Sequence, residues 1–181
     1  MTFIALTIPE EVKAALISAM GELRTKNHAV RWAKPEGLHI TLKFLGDIEE
    51  KTVAPLGADL DRIAARCPEL NLSLAGFGAF PAVKRPRVIW AGLAGDVQEL
   101  TGLSAGIDEA CLGYGIGKEK RPFSGHITLG RLKVPTMVDL AINPVKGSFT
   151  ASQVLLYQSV LLPGGAQYTV LHRSSLGCKG G

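Results

Sequence analysis

Histidine, cysteine and net charge are all scarce in this chain of 181 residues, and each scarcity excludes something. The three cysteines, Cys67, Cys111 and Cys178, are an odd set with no Cys-x-x-Cys spacing. That excludes a disulfide scaffold and reads as thiols of a reducing, cytoplasmic compartment. No apolar run is long enough to cross a bilayer, so no membrane partner is expected. The opening Met1-Thr2-Phe3-Ile4-Ala5-Leu6-Thr7-Ile8 has no basic n-region and turns acidic at Glu10. It reads as a first strand, not a signal peptide. Neither GxxxxGK[ST] nor GxGxxG occurs, which excludes a P-loop and a Rossmann dinucleotide site. The formal charge of +4 does not by itself mark a nucleic-acid binder, although it suits an anionic substrate. A zinc site wants three or four ligands. Only four histidines are present, and no Asp, Glu or Cys stands near the candidate motifs on the right face, so no metal is expected.

Two of those four histidines begin the same short stretch. One copy is His39-Ile40-Thr41-Leu42-Lys43-Phe44-Leu45-Gly46; the other is His126-Ile127-Thr128-Leu129-Gly130-Arg131-Leu132. Such runs, bounded by glycine, read as strands. Side chains two apart share a face, so His39 and Thr41 point one way and Ile40 and Leu42 the other. The second copy divides likewise. Each is a strand with a polar working face and an apolar packing face.

The surroundings repeat too. Thr2 to Ile8 reads as a strand, and Pro9-Glu10-Glu11 opens a helix with the stripe Val12, Leu16, Ala19, Leu23. A loop with Arg24, Lys26, His28, Arg31 and Lys34 leads to the first motif. Asp47 and Glu50 resemble a capping box before a second helix with Leu56, Leu60, Ile63 and Cys67, its start blurred by Pro55. Leu70–Phe77 and Arg87–Leu93 read as strands. Asp96 and Glu99 make another capping box, ahead of a third helix carrying Val97, Leu100, Ser104, Ile107 and Cys111. A loop with Lys118, Lys120 and Arg121 precedes the second motif. Pro9 against Asp96, and His39 against His126, are both displaced by 87 residues. Strand, helix, basic loop and His-x-Thr strand therefore occur twice in register, which implies duplication and two lobes about a pseudo-twofold. A helical turn is expected near Met137–Ile142, then a strand over Ser148–Leu162 and another over Gln167–His172, joined through Pro163–Ala166. His28 and His172 read as surface residues, and Lys84, Arg85 and Arg87 as a solvated turn. One bilobal domain is expected over 1–176, with 177–181 a flexible tail.

Two imidazoles that titrate near neutrality suit paired acid–base work, one taking a proton from a nucleophile while the other supplies a leaving group. Thr41 and Thr128 can donate to the non-bridging oxygens of a tetrahedral anion. Lys43 has the parity to share the face of His39 and add charge. Arg131 has the wrong parity, unless Gly130 permits a bulge that re-aims it. A phosphate diester fits this set, because phosphoryl chemistry is mostly positioning and charge stabilisation.

Paired His-x-Thr-x motifs resemble those of the 2H phosphoesterases. Arg31-Trp32, Lys43-Phe44-Leu45-Gly46, Arg87-Val88-Ile89-Trp90, Pro122-Phe123-Ser124-Gly125 and Arg131 are similar to the branch of RNA 2′,3′-cyclic phosphodiesterases, also called 2′-5′ RNA ligases. The resemblance implies an α+β fold of two mainly antiparallel sheets facing a central cleft, with helices outside. It implies a monomeric, cofactor-free and metal-independent hydrolase of RNA processing. Such an enzyme opens a terminal 2′,3′-cyclic phosphate, on RNA or on a nucleotide, to a 2′-phosphate, with reversible 2′-5′ ligation in some members. It gives His39 the acid's part and His126 the base's, with Thr41, Thr128 and Arg131 at the phosphate. Two other readings stand beside it: a 2H phosphodiesterase for a small cyclic or 2′-5′-linked nucleotide, and a non-catalytic nucleotide-binding module.

Overall fold

Proline and glycine mark the places where the chain changes element. The computed structural model describes residues 1–177. Pro9 separates strand β1 (Thr2–Leu6) from helix α1 (Glu10–Lys26). Then come β2 (Arg31–Trp32), β3 (Ile40–Gly46), α2 (Glu50–Ala64), β4 (Leu70–Phe80), β5 (Val88–Gly95) and α3 (Val97–Cys111). The chain closes with β6 (His126–Arg131), β7 (Ser148–Ala151), β8 (Gln153–Leu162) and β9 (Gly165–Ser175).

Neither expected capping box forms. Asp47 lies outside α2, which starts behind Glu49 and runs through Pro55. Asp96 does precede α3, but its carboxylate accepts the Asn71 backbone N–H at 2.7 Å instead of capping its own helix. The helical turn near Met137–Ile142 is absent as well. Its backbone is taken by partners elsewhere: Val138 N–H donates to the Val83 carbonyl, and the Asn27 side chain bonds both N–H and C=O of Asp139. The stretch 148–162 is two strands broken at Ser152, because β7 pairs with β4 while β8 crosses to pair with β1. In the β8–β9 hairpin Leu162 pairs with Gly165, so Pro163-Gly164 alone makes the turn.

The strands run β7-β4-β5-β6 on one side and β3-β1-β8-β9 on the other, with β2 added beside β6. The two halves, expected as separate sheets, join where β3 meets β6 through one recorded pair, Ile40 with Ile127. Ile40, Leu42, Ile127 and Leu129 all face the helices and are at most 3% exposed. Burying each such side chain contributes roughly 1.5–3 kcal/mol. They belong to one hydrophobic cluster that continues through both halves.

The two repeats exchange parts. β2 follows α1 in the chain yet pairs with β6 of the other half. The end of α1 is tied to the second half, Lys26 donating to the Ala141 carbonyl at 2.5 Å. In return, α3 packs on β3: Ser104 donates to the Leu42 carbonyl at 3.1 Å. Gly177, first residue of the expected tail, donates to the Cys67 carbonyl at 2.9 Å. Residues 178–181, with Cys178, lie outside the described residues.

Candidate active site

The Ile40–Ile127 pair is the pivot of the site. Continuing its antiparallel register sets His39 across from Thr128 and Thr41 across from His126. Directly opposed residues share a face at about 5 Å between Cβ atoms. Both imidazoles and both hydroxyls therefore come together on the concave face, while the intervening Ile and Leu side chains fill the core.

Each motif strand then carries a bulge. Along β1, Ala5 pairs with Thr41 and Ile4 with Lys43, leaving Leu42 as the extra residue. Along β5, Trp90 pairs with Thr128 and Ile89 with Gly130, leaving Leu129 extra. Positions 42 and 129 are again 87 apart. A bulge inverts the parity of everything after it. Arg131 is thereby brought to the side of His126 and Thr128, as the Gly130 argument required.

The same inversion removes Lys43 from the site. It faces the helices, only 2% exposed. Its ammonium donates to Asp108 Oδ1 at 2.5 Å and to the Gly117 carbonyl at 2.6 Å, with Glu119 Oε1 at 3.7 Å. The expectation that Lys43 binds phosphate fails because its parity was counted on an unbulged strand. Burial pushes the Asp108 carboxyl up, but the Lys43 ammonium and the Glu119 amide outweigh it and hold it below the usual carboxylate range.

Phe44 stands where Lys43 was expected and is the counterpart of Arg131. It is 48% exposed, its ring 6.2 Å from that of Phe3. The 87-residue displacement carried the signal, since a bulge inferred at Gly130 maps onto Lys43 and turns Phe44 inward.

The histidines sit in different walls. His39 stacks on Phe3 at 4.8 Å, with Tyr168 edge-on at 6.0 Å and Tyr157 at 6.3 Å. Burial among these rings, then the Arg131 and Lys13 charges, push its pKa down to about 4. His39 is thus neutral at pH 7. The influence of Arg131 extends to Tyr168, so this arginine of the second half acts on residues of the first. His126 has Phe80 edge-on at 5.1 Å and Trp90 at 6.5 Å. Its Nδ1 lies 2.7 Å from the Ser124 carbonyl oxygen. A carbonyl only accepts, so Nδ1 carries the proton and Nε2 is left for chemistry.

The remaining candidates fall elsewhere. His172 is on the outer side of the first half, its Nε2 2.9 Å from Asp61 Oδ1, which also accepts from Ser174 Oγ at 2.7 Å. Cys111 is buried, and burial pushes its thiol up to about 11. Among the described residues no three His, Cys, Asp or Glu side chains gather as metal ligands do.

Two histidine–threonine pairs, facing each other across a curled antiparallel sheet, define a phosphoesterase of the two-histidine class. The chain belongs to the LigT-like phosphoesterases: that family's model matches residues 6–90 and 93–168. An RNA 2′,3′-cyclic phosphodiesterase of Aeropyrum pernix is 34% identical over 150 residues, 79% of this chain and 84% of that protein. One from Geobacillus stearothermophilus is 36% identical over 129 residues, 71% of this chain but only 41% of the longer relative. The crystal structure of E. coli LigT complexed with 3′-AMP superposes with a TM-score of 0.80 at 27% identity, covering 97% of both chains.

Proposed function

We propose that this protein hydrolyses the 2′,3′-cyclic phosphate at the end of RNA to a 2′-phosphomonoester. The observation that carries the reading is the Ile40–Ile127 pair, which joins the two His-x-Thr strands at the middle of both motifs. The name borne by its relatives, RNA 2′,3′-cyclic phosphodiesterase, supports the substrate class. So does the nucleotide in the E. coli LigT complex.

The cyclic phosphate carries one negative charge and lies between the two walls. Thr41 and Thr128 donate to its non-bridging oxygens, and Arg131 balances the charge that builds on them. His126 Nε2 takes a proton from water as its oxygen forms the new bond to phosphorus. The P–O3′ bond breaks, and His39 gives its proton to the departing O3′. The P–O2′ bond stays, which fixes the product. His39 holds that proton only with substrate present, when the phosphate charge opposes the effects of burial and Arg131. An imidazole of such low pKa is a strong acid once charged, which favours donation. A 5′-hydroxyl in the place of water gives a 2′-5′ phosphodiester by the same displacement. The base of the terminal nucleotide stacks on Phe44. One chain supplies both halves of the site, which supports action as a monomer, and the compartment proposed is the cytoplasm.

The decisive assay offers a nucleoside 2′,3′-cyclic phosphate and a short RNA with the same end side by side, and identifies the product. A 2′-phosphate is expected from both, with chelator present. Failure to turn over either substrate removes the reading, and a 3′-phosphate product would reverse which bond breaks.

A further inference from the structure

Four strands line up one continuous row on the concave face of the second half. Phe80 pairs with Val88, Val88 with Arg131, and Arg131 with Arg31. Phe80 is the residue edge-on to His126, so the row begins at the reacting centre. Its other end is two arginines directly opposite each other, Arg131 of the site and Arg31 beside it. Like charges so placed repel. Neither arginine forms an ion pair among the described residues. An anion lying over both relieves the repulsion.

Just beyond the row the chain adds more cations. The β4–β5 turn folds back on itself, Arg87 N–H donating to the Phe80 carbonyl at 2.7 Å. It lies beside the segment after β6: Leu132 N–H donates to the Arg87 carbonyl at 3.0 Å, and the Arg87 guanidinium to the Lys133 carbonyl at 2.7 Å. Lys84, Arg85, Arg87 and Lys133 are all exposed there. Residues 81–87 and 131–138 contain no Asp or Glu. In the basic loops ahead of the motifs three lysines are engaged, while Lys120 and Arg121 follow the acidic Glu119. Lys26 is held by Ala141 and Asp139, Lys34 by the Gly164 carbonyl, and Lys118 by Glu109. Uncompensated positive charge in a continuous strip is the footprint of a phosphodiester backbone.

We infer that single-stranded RNA leading to the reacting end lies along this strip. Arg131 stays on the cyclic phosphate, Arg31 beside it takes the next phosphate, and Lys84, Arg85 and Lys133 take the outer ones. This rests on the reaction proposed above and extends it from the terminal nucleotide to the RNA body.

The test compares wild type with the triple variant Lys84→Ala/Arg85→Ala/Lys133→Ala. Each acts on a nucleoside 2′,3′-cyclic phosphate and on a short single-stranded RNA ending in one, over a range of salt. Contacts remote from the reacting atoms bind ground and transition states alike, so the change appears in KM. The ratio of kcat/KM for RNA to that for the mononucleotide is expected to fall about tenfold in the variant at low salt. The log–log salt slope for RNA flattens by about 2, at about 0.7 for each of three lost contacts. Restoring the charges as Lys84→Arg/Lys133→Arg on the wild-type Arg85 background keeps both quantities. A triple variant with the wild-type ratio and slope overturns the strip, as does a wild type whose RNA turnover ignores salt. In either case turnover of the mononucleotide leaves the reaction itself standing, whereas loss of both wild-type activities removes the reaction too.

Discussion

His39 sits where an imidazolium is costly, between aromatic rings and facing Arg131. Its pKa near 4 gives a sharp expectation. The kcat/KM profile reports ionisations of the free enzyme. One limit of that profile should fall near pH 4, where His39 gains the proton that it must hold to act as the acid. The limit should disappear in whatever activity His39→Gln retains; a limit that persists there belongs to another group. His39→Ala and His126→Ala should each lose about 10²- to 10⁴-fold in rate. A nitrophenyl phosphodiester, whose leaving group needs no proton, tells their roles apart. Activity should return in His39→Ala and not in His126→Ala, and the opposite result exchanges acid and base. Phe44→Ala tests the residue that parity alone concealed. Loss of a stacked base is worth roughly 1–3 kcal/mol, and here it should appear in KM with kcat preserved. An unchanged KM would place the base elsewhere.

At the scale of the element, the two bulges decide which side chains the motif strands offer. They turn Phe44 and Arg131 inward, and Lys43 and Gly130 toward the core. Lys43 then clamps β3 to α3 and to the loop before the second motif through Asp108 and Gly117. Lys43→Met leaves Asp108 in its buried place without its cation, which should cost roughly 3–5 kcal/mol. Because the clamp holds the Asp108 pKa down, its contribution is present above the ordinary carboxylate pKa and is lost as pH falls through the folded value. Denaturant melts of wild type and variant should therefore converge toward low pH, with turnover by the folded variant within a few-fold of normal. A variant of full stability and about 10²-fold lower rate would instead return Lys43 to the phosphate. Gly130 has no room for a side chain: a Cβ there would stand 2.5 Å from Val30 Cγ1 and 3.3 Å from the Arg31 carbonyl. Gly130→Ala must displace the Val30 side chain and crowd the β2 backbone, which lowers stability and disturbs the Arg31–Arg131 pair.

Over the whole molecule, the halves are bound by exchange more than by their shared pair of residues. β2 lies on the far half, the end of α1 is tied to it, and α3 packs on the near one. The hydrophobic cluster passes through both. Unfolding should therefore be one cooperative transition, with the same midpoint by fluorescence of Trp32 and Trp90 and by far-ultraviolet circular dichroism. Two separated transitions would show halves that fold alone.

Some of this was determined by sequence alone. Alternation set an apolar side against a polar one in each motif, and repetition at 87 residues revealed the duplicated plan and both histidine–threonine pairs. The helical stripes of α1 and α3 were legible for the same reason, since periodicity is local. The capping boxes failed because a carboxylate near a helix start bonds whichever amide the fold brings to it, and Asn71 reached Asp96 first. The extra residue in β3, the burial of Lys43 and the pairing of Arg31 with Arg131 were decided by tertiary structure. Each depends on a register between strands far apart in the chain, and register is set by which faces two elements bury together, not by the pattern within either one.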